Sequence, residues 1–150
     1  MRLVFQRVSH AQVVVEDKVI GKIGHGALLL VGFEAEDSAE DLDWAARKVS
    51  NLRVFGDADG KMNQSIEDVG GQFLVVSQFT LHGATKKGSR PSFIKAAHPD
   101  IAIPLYQQFA QKLEALSSKP IETGEFGAHM EVSLTNDGPV TLIIDTKNKE

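Results

Sequence analysis

Two polar stretches interrupt apolar runs in this chain, and their residue types could do chemistry. Ser77-Gln78-Phe79-Thr80-Leu81 follows Phe73-Leu74-Val75-Val76, and Asn136-Asp137-Gly138-Pro139-Val140-Thr141 leads into Leu142-Ile143-Ile144. An unpartnered buried polar group costs about 1–3 kcal/mol, so Ser77 and Gln78 need partners, in a structural hydrogen-bond network or in a ligand. Thr80 carries a hydroxyl suited to attack on an ester, but such a nucleophile needs a base within reach. No Ser/His/Asp order in the sequence supplies one. Gly138-Pro139 reads as a plain hairpin turn after Asn136-Asp137, or as a ligand contact. Proline withholds a ladder donor, its preceding bond is cis in roughly 5–6% of folded cases, and glycine has no Cβ to block close approach.

A third group follows the first stretch. Lys86-Lys87-Gly88-Ser89-Arg90-Pro91-Ser92 puts three cations in a loop with glycine and serine. That composition suits either a phosphate clamp, working by charge and main-chain donors, or a solubilising surface loop. Its position beside Ser77–Leu81 favours the clamp, with Lys86, Lys87 and Arg90 as the cations. Other clusters point to structure. The histidines at 10, 25, 82, 98 and 129 form no pair at metal-ligand spacing and read as structural or surface residues, with His82 notable for following the first stretch. Asp37, Glu40, Asp41 and Asp43 read as a solvated helix face. Asp57-Ala58-Asp59-Gly60 is a turn, since the other ligands of a calcium loop are missing.

These residues must be held by one domain, because 150 residues suffice for a single buried core. A hydrophobic share of 42% with 24% charged residues is ordinary for a globular protein. The formal net charge of -4 excludes a broadly basic nucleic-acid-binding face while allowing a local patch. No cysteine is present, which rules out disulfides and thiolate metal sites. The opening residues lack the apolar core of a signal peptide, and no apolar run approaches the ~20 residues that span a bilayer. A cytoplasmic protein is expected.

The periodicities predict strands over Arg2–Val8, Ala11–Val15, Lys18–Ile23 and Ala27–Val31, read as a β-meander. A helix capped by Ser38 follows, with Leu42, Ala45, Ala46 and Val49 on its apolar face. Short strands are expected at Arg53–Phe55 and into Ser77. A second helix lies between Pro99 and Ser117, with Pro104 in its first turn and Leu105, Phe109, Leu113 and Leu116 as its stripe. Ile121–Thr123, His129–Leu134 and Val140–Asp145 complete about eight or nine strands. The expected class is α+β, a curved, barrel-like sheet with two main helices packed outside.

Taken together, Ser77-Gln78-Phe79-Thr80-Leu81 and Asn136-Asp137-Gly138-Pro139-Val140-Thr141 resemble the two signature motifs of the D-aminoacyl-tRNA deacylases. The resemblance covers the whole chain, including Met1-Arg2-Leu3-Val4-Phe5-Gln6-Arg7-Val8 and Leu105-Tyr106-Gln107-Gln108-Phe109. It implies a homodimer that hydrolyses the ester between a D-amino acid, or mischarged glycine, and the 3′ end of tRNA. It further implies that Gly138 and Pro139, joined by a cis bond, enter the partner's pocket as a chiral filter. Ser77, Gln78, Phe79 and Thr80 would line the pocket for the adenosine and the scissile ester, with Arg7 bracing the Gly-Pro loop. No metal or cofactor is called for. Main-chain amides near Phe79 and Thr80, assisted by the substrate's 2′-hydroxyl, are favoured over a covalent Thr80 intermediate. A non-catalytic RNA-binding protein is the competing class.

Overall fold

The structure, a computed structural model, describes residues 1–150. Eight strands and two α-helices follow in the order β1 (Arg2–Val15), β2 (Lys18–Ile23), β3 (Gly26–Gly32), α1 (Ala39–Asn51), β4 (Phe55–Gly56), β5 (Met62–Gln64), β6 (Gln72–Ser77), α2 (Pro99–Ala115), β7 (Glu122–Thr123) and β8 (Glu131–Asp145). A single 3-10 turn, Phe79–His82, follows β6. No helix is long and apolar enough to cross a membrane.

The two strands expected before Glu16 are one. β1 runs unbroken through Ser9 and His10, with register shifts on either side of Val8. β8 pairs with one edge of β1, while β2 and β3 pair with the other, each antiparallel. The opening is therefore a long hairpin broken at Gly24-His25 and not a meander. β3 then pairs with β6, and β6 with β7, both in parallel. Gly21 on β2 lies against β7, where a Cβ would stand 2.6 Å from the Thr123 carbonyl oxygen. That contact brings the mixed sheet round into a nearly closed barrel.

Strand alternation explains the continuous apolar runs. Leu28, Leu74 and Val76 point into the barrel with Val8, Ala11, Val13 and Ile23. Leu29, Val31, Phe73 and Val75 point outward to the helices with Leu3 and Phe5. A strand covered on both faces has no polar side to show. On α2, Pro99 takes the first position, and Pro104 lies inside the helix, beyond the first turn expected for it. The buried residues are Ala102, Tyr106, Phe109 and Leu113, whereas Leu116 is exposed. Tyr106 decides the rotation, since its hydroxyl donates to the Val75 carbonyl at 2.9 Å. Burial, only partly offset by a hydrogen bond to Thr123, pushes the Tyr106 phenol up to about 12.

α1 begins as expected at Ser38, whose amide donates to Asp41 Oδ2 at 2.9 Å while Asp41 N donates to Ser38 Oγ at 3.4 Å. Asp41 is no solvated residue. It is buried, and Lys147 Nζ donates to it at 2.7 Å. Burial alone would raise its carboxyl, but Lys147 and Ser38 outweigh that and hold it well below the usual range. A carboxyl depressed in the folded state gives stability that is present above its unfolded value near 4 and lost as pH falls below it. Asp41→Asn is accordingly expected to cost about 1–2 kcal/mol at neutral pH. It should also flatten the acid limb of Tm against pH below about 4. An unchanged acid limb in calorimetry would contradict this role.

Candidate functional site

β6 stops at Ser77 because the chain turns at once across the end of β3. Gln78 N donates to Val31 O at 2.7 Å, Leu81 N to Gln78 O at 3.3 Å, and Gly83 N to Thr80 O at 2.9 Å. Gly32 permits the crossing, since a Cβ there would come within 2.7 Å of the Gln78 carbonyl oxygen. Gln78 Nε2 donates to Thr80 Oγ1. That is the side-chain partner of the Thr80 hydroxyl, and an amide cannot take its proton. The Phe79 and Thr80 amides are not donors in any turn or loop hydrogen bond, as befits the first residues of a helical turn.

Ser77, Gln78 and Phe79 wall a cavity of about 560 Å³, within the range that holds a small organic ligand. Its other walls are apolar for the most part: Val31 and Phe33 from the end of β3, Phe93, Ala102 on α2, and the segment Phe126–Met130 before β8. Phe79 is 55% exposed and packs edge-on against Phe93, centroids 5.3 Å apart. Two histidines, His98 and His129, also line the cavity. His98 Nδ1 lies 2.8 Å from Asp100 Oδ1, and that contact holds the Asp100 carboxyl below its ordinary value. Phe93, His98, Phe126 and His129 were not expected at a site, for they come from segments far apart in sequence without a motif. A larger hollow, about 670 Å³, lies between Trp44, Leu81, Ile143 and the C-terminal residues, and none of Ser77–Thr80 lines it.

The cationic loop adjoins the first cavity without lining it. Ala84 and Ser92 exchange backbone hydrogen bonds of 2.8 and 3.0 Å, pinching off the residues between them. Lys86, Lys87 and Arg90 are exposed on that loop, and Phe93 leaves it for the cavity wall. No three His, Cys, Asp or Glu side chains converge as a metal site.

Gly138-Pro139 is not a hairpin turn. Asn136 pairs with Val8 and Thr141 with Gln6, so four residues, 137 to 140, bulge opposite Arg7 alone, and the strand resumes on the same partner. The Gly138–Pro139 bond is cis, and both residues are exposed. Arg7 holds the bulge from beneath: Nε donates to the Asp137 carbonyl at 2.8 Å, and another guanidinium nitrogen donates to the Val54 carbonyl. Asp137 Oδ2 also stands 3.5 Å from both Arg7 Nε and His25 Nε2. Gln6, a residue sequence reasoning passed over, ties the two ends together. Its amide nitrogen donates to Asn136 Oδ1 at 2.6 Å, and its oxygen accepts from Thr141 Oγ1 at 2.6 Å. The only hint was a polar residue beside Arg7 in an apolar strand. Neither Gly138, Pro139 nor Arg7 lines the cavity walled by Ser77–Phe79. One chain does not bring the two motifs together.

Comparison with known proteins agrees in sequence and in fold. The sequence model of the family described as D-Tyr-tRNA(Tyr) deacylase matches residues 4–145. Proteins named D-aminoacyl-tRNA deacylase from Parabacteroides distasonis and Bacteroides thetaiotaomicron are 54% and 57% identical to this chain, each covering all of both sequences. A solved structure titled c-Myc DNA Unwinding Element Binding Protein superposes with a TM-score of 0.92 at 39% identity, covering 97% of this chain and 98% of that one. A probable eukaryotic D-amino acid tRNA deacylase shares the fold, with a TM-score of 0.80 at 21% identity over 95% of this chain and 97% of that one. From Val4 to Asp145, carrying both motifs on its barrel, the chain belongs to the D-Tyr-tRNA(Tyr) deacylase family.

Proposed function

We propose that the chain hydrolyses the ester joining a D-amino acid, or mischarged glycine, to the 3′ end of tRNA. The cavity walled by Ser77, Gln78 and Phe79 receives the terminal adenosine and the ester. Water adds to the ester carbonyl carbon, the oxyanion so formed accepts from the Phe79 and Thr80 amides, and the bond to the ribose oxygen breaks. Free amino acid and a tRNA hydroxyl result. Preorganised main-chain donors suit this step, because an already activated ester asks more for charge stabilisation than for a strong nucleophile. Thr80 is exposed beside that wall without lining the cavity, its hydroxyl is already held by the Gln78 amide, and the substrate's 2′-hydroxyl orients the water. Lys86, Lys87 and Arg90 meet the tRNA phosphates by charge.

Selection between mirror forms falls to Gly138 and Pro139 of a second copy in a homodimer. L- and D-aminoacyl groups offer the same chemical groups, so added attraction favours both and only rigid exclusion separates them. The observation that carries this reading is the bulge itself: backbone-first, exposed, braced by Arg7, and outside its own chain's cavity. A filter of backbone atoms leaves the amino-acid side chain unread, so many D-residues should be accepted.

Three substrates test the reading: D-Tyr-tRNA, L-Tyr-tRNA and free D-Tyr ethyl ester, with amino-acid release followed over time. Release from the D-charged tRNA alone is expected. Equal release from both tRNAs removes the filter, release from the ethyl ester makes the chain a general esterase, and binding without release leaves an RNA-binding protein.

A further inference from the structure

Beneath the turn that forms the cavity wall lies a histidine with no evident structural reason to be one. The His82 side chain is fully buried, and neither ring nitrogen has a hydrogen-bond partner. Nδ1 stands 3.5 Å from Glu34 Oε1, a contact that is not a hydrogen bond. Buried polar atoms are nearly always hydrogen-bonded, and an exception calls for an explanation. An apolar side chain would fill this place at lower cost.

The place itself offers the explanation. His82 closes the 3-10 turn that begins at Phe79. Its ring lies over the bare Cα of Gly32, where a Cβ would approach Cδ2 to 3.1 Å. Gly32, the last residue of β3, and Phe33 line the cavity, and Glu34 is the second residue beyond the strand. The imidazole therefore packs between the end of the turn and the exit of β3. The far side of the turn is held by Arg2, whose Nη1 donates to the Leu81 carbonyl at 3.3 Å.

We infer that His82, steadied by Glu34, is a positioning residue: it sets the Phe79 and Thr80 amides without touching substrate. This rests on the proposed hydrolysis, in which those amides stabilise the oxyanion. A small displacement of such donors is costly to rate and leaves substrate affinity alone. Stability and rate should then move apart, since a residue kept for function is often not the one that stabilises best.

The test uses the full chain with His82→Leu and Glu34→Gln. His82→Leu removes both unpaired nitrogens, and its Tm should hold or rise. Its kcat on D-Tyr-tRNA should fall by about tenfold or more with KM within twofold. Amide hydrogen exchange over residues 78–82 should speed up, a readout that needs no turnover. Glu34→Gln, which keeps the buried ring in place, should shift kcat and exchange in the same direction by less. Unchanged kcat and unchanged exchange in both variants overturn the inference. So does a lowered Tm in His82→Leu with exchange and kcat retained, which would make His82 a core filler. If the parent chain releases nothing from D-Tyr-tRNA, the hydrolysis fails, and exchange in the two variants still decides whether His82 fixes the turn.

Discussion

Gly138→Ala is expected to cut release from D-Tyr-tRNA by about a hundredfold or more while lowering Tm by only a few degrees. A Cβ at this position would come within 2.6 Å of Arg7 Nη2 and 2.9 Å of Val140 N, and the residue has φ of +144°, where L side chains are strained. Such strain costs on the order of 1–3 kcal/mol, which a chain with two apolar clusters can absorb. The bulge cannot absorb it in place. Either the Arg7 guanidinium moves off the Asp137 carbonyl or the Gly-Pro backbone swings outward. A filter that works by rigid exclusion loses its aim in both cases, so the residual activity should discriminate less between D- and L-Tyr-tRNA. Full D-selectivity at normal rate in Gly138→Ala would remove this loop from the account.

The second large effect separates two chemistries. Thr80→Ala should retain activity within about tenfold, because its hydroxyl accepts from the Gln78 amide and no base attends it. A D-aminoacyl-tRNA ending in 2′-deoxyadenosine should instead react at least about a hundredfold more slowly, since the group proposed to orient the water is gone. Complete loss in Thr80→Ala, with an acyl-enzyme trapped in the parent chain, would install Thr80 as a covalent nucleophile.

Much of this molecule was readable from periodicity because its layers impose it. The Ser38 cap, the Leu42–Val49 face and the buried run at Leu28–Val31 follow directly from burial on known faces. Errors arose where two patterns shared residues. Ser9 and His10 look like a strand break, yet β1 passes through them because β8 remains paired on one edge. Asn136-Asp137-Gly138-Pro139 has the composition of a hairpin turn, and only the partner strand reveals a bulge. On α2, Phe109 and Leu113 fit two rotations about the helix axis, and the Tyr106 hydroxyl on the Val75 carbonyl selects one. The types of Ser77 and Gln78 left a structural network and a ligand site equally open, and only the family resemblance pointed to a site. Phe93, Phe126 and His129 could not be placed there, because nothing in their own neighbourhoods says that they meet across a cavity.

The central claim is that a cavity on one chain is completed by the Gly-Pro bulge of another. Mixing two variants, each expected to be strongly impaired alone, tests it most directly. Gly138→Ala carries an intact cavity with a spoiled bulge, and Gln78→Ala an intact bulge with a spoiled cavity. Unfolded and refolded together, the mixture should recover D-Tyr-tRNA hydrolysis toward a quarter of the parent rate, because statistical pairing makes half the dimers mixed and each mixed dimer has one complete site. Recovery at that level, with L-Tyr-tRNA still refused, is the predicted result. A mixture no more active than its separate parts, with mixed dimers shown by mass, would place cavity and filter on the same chain and contradict the account.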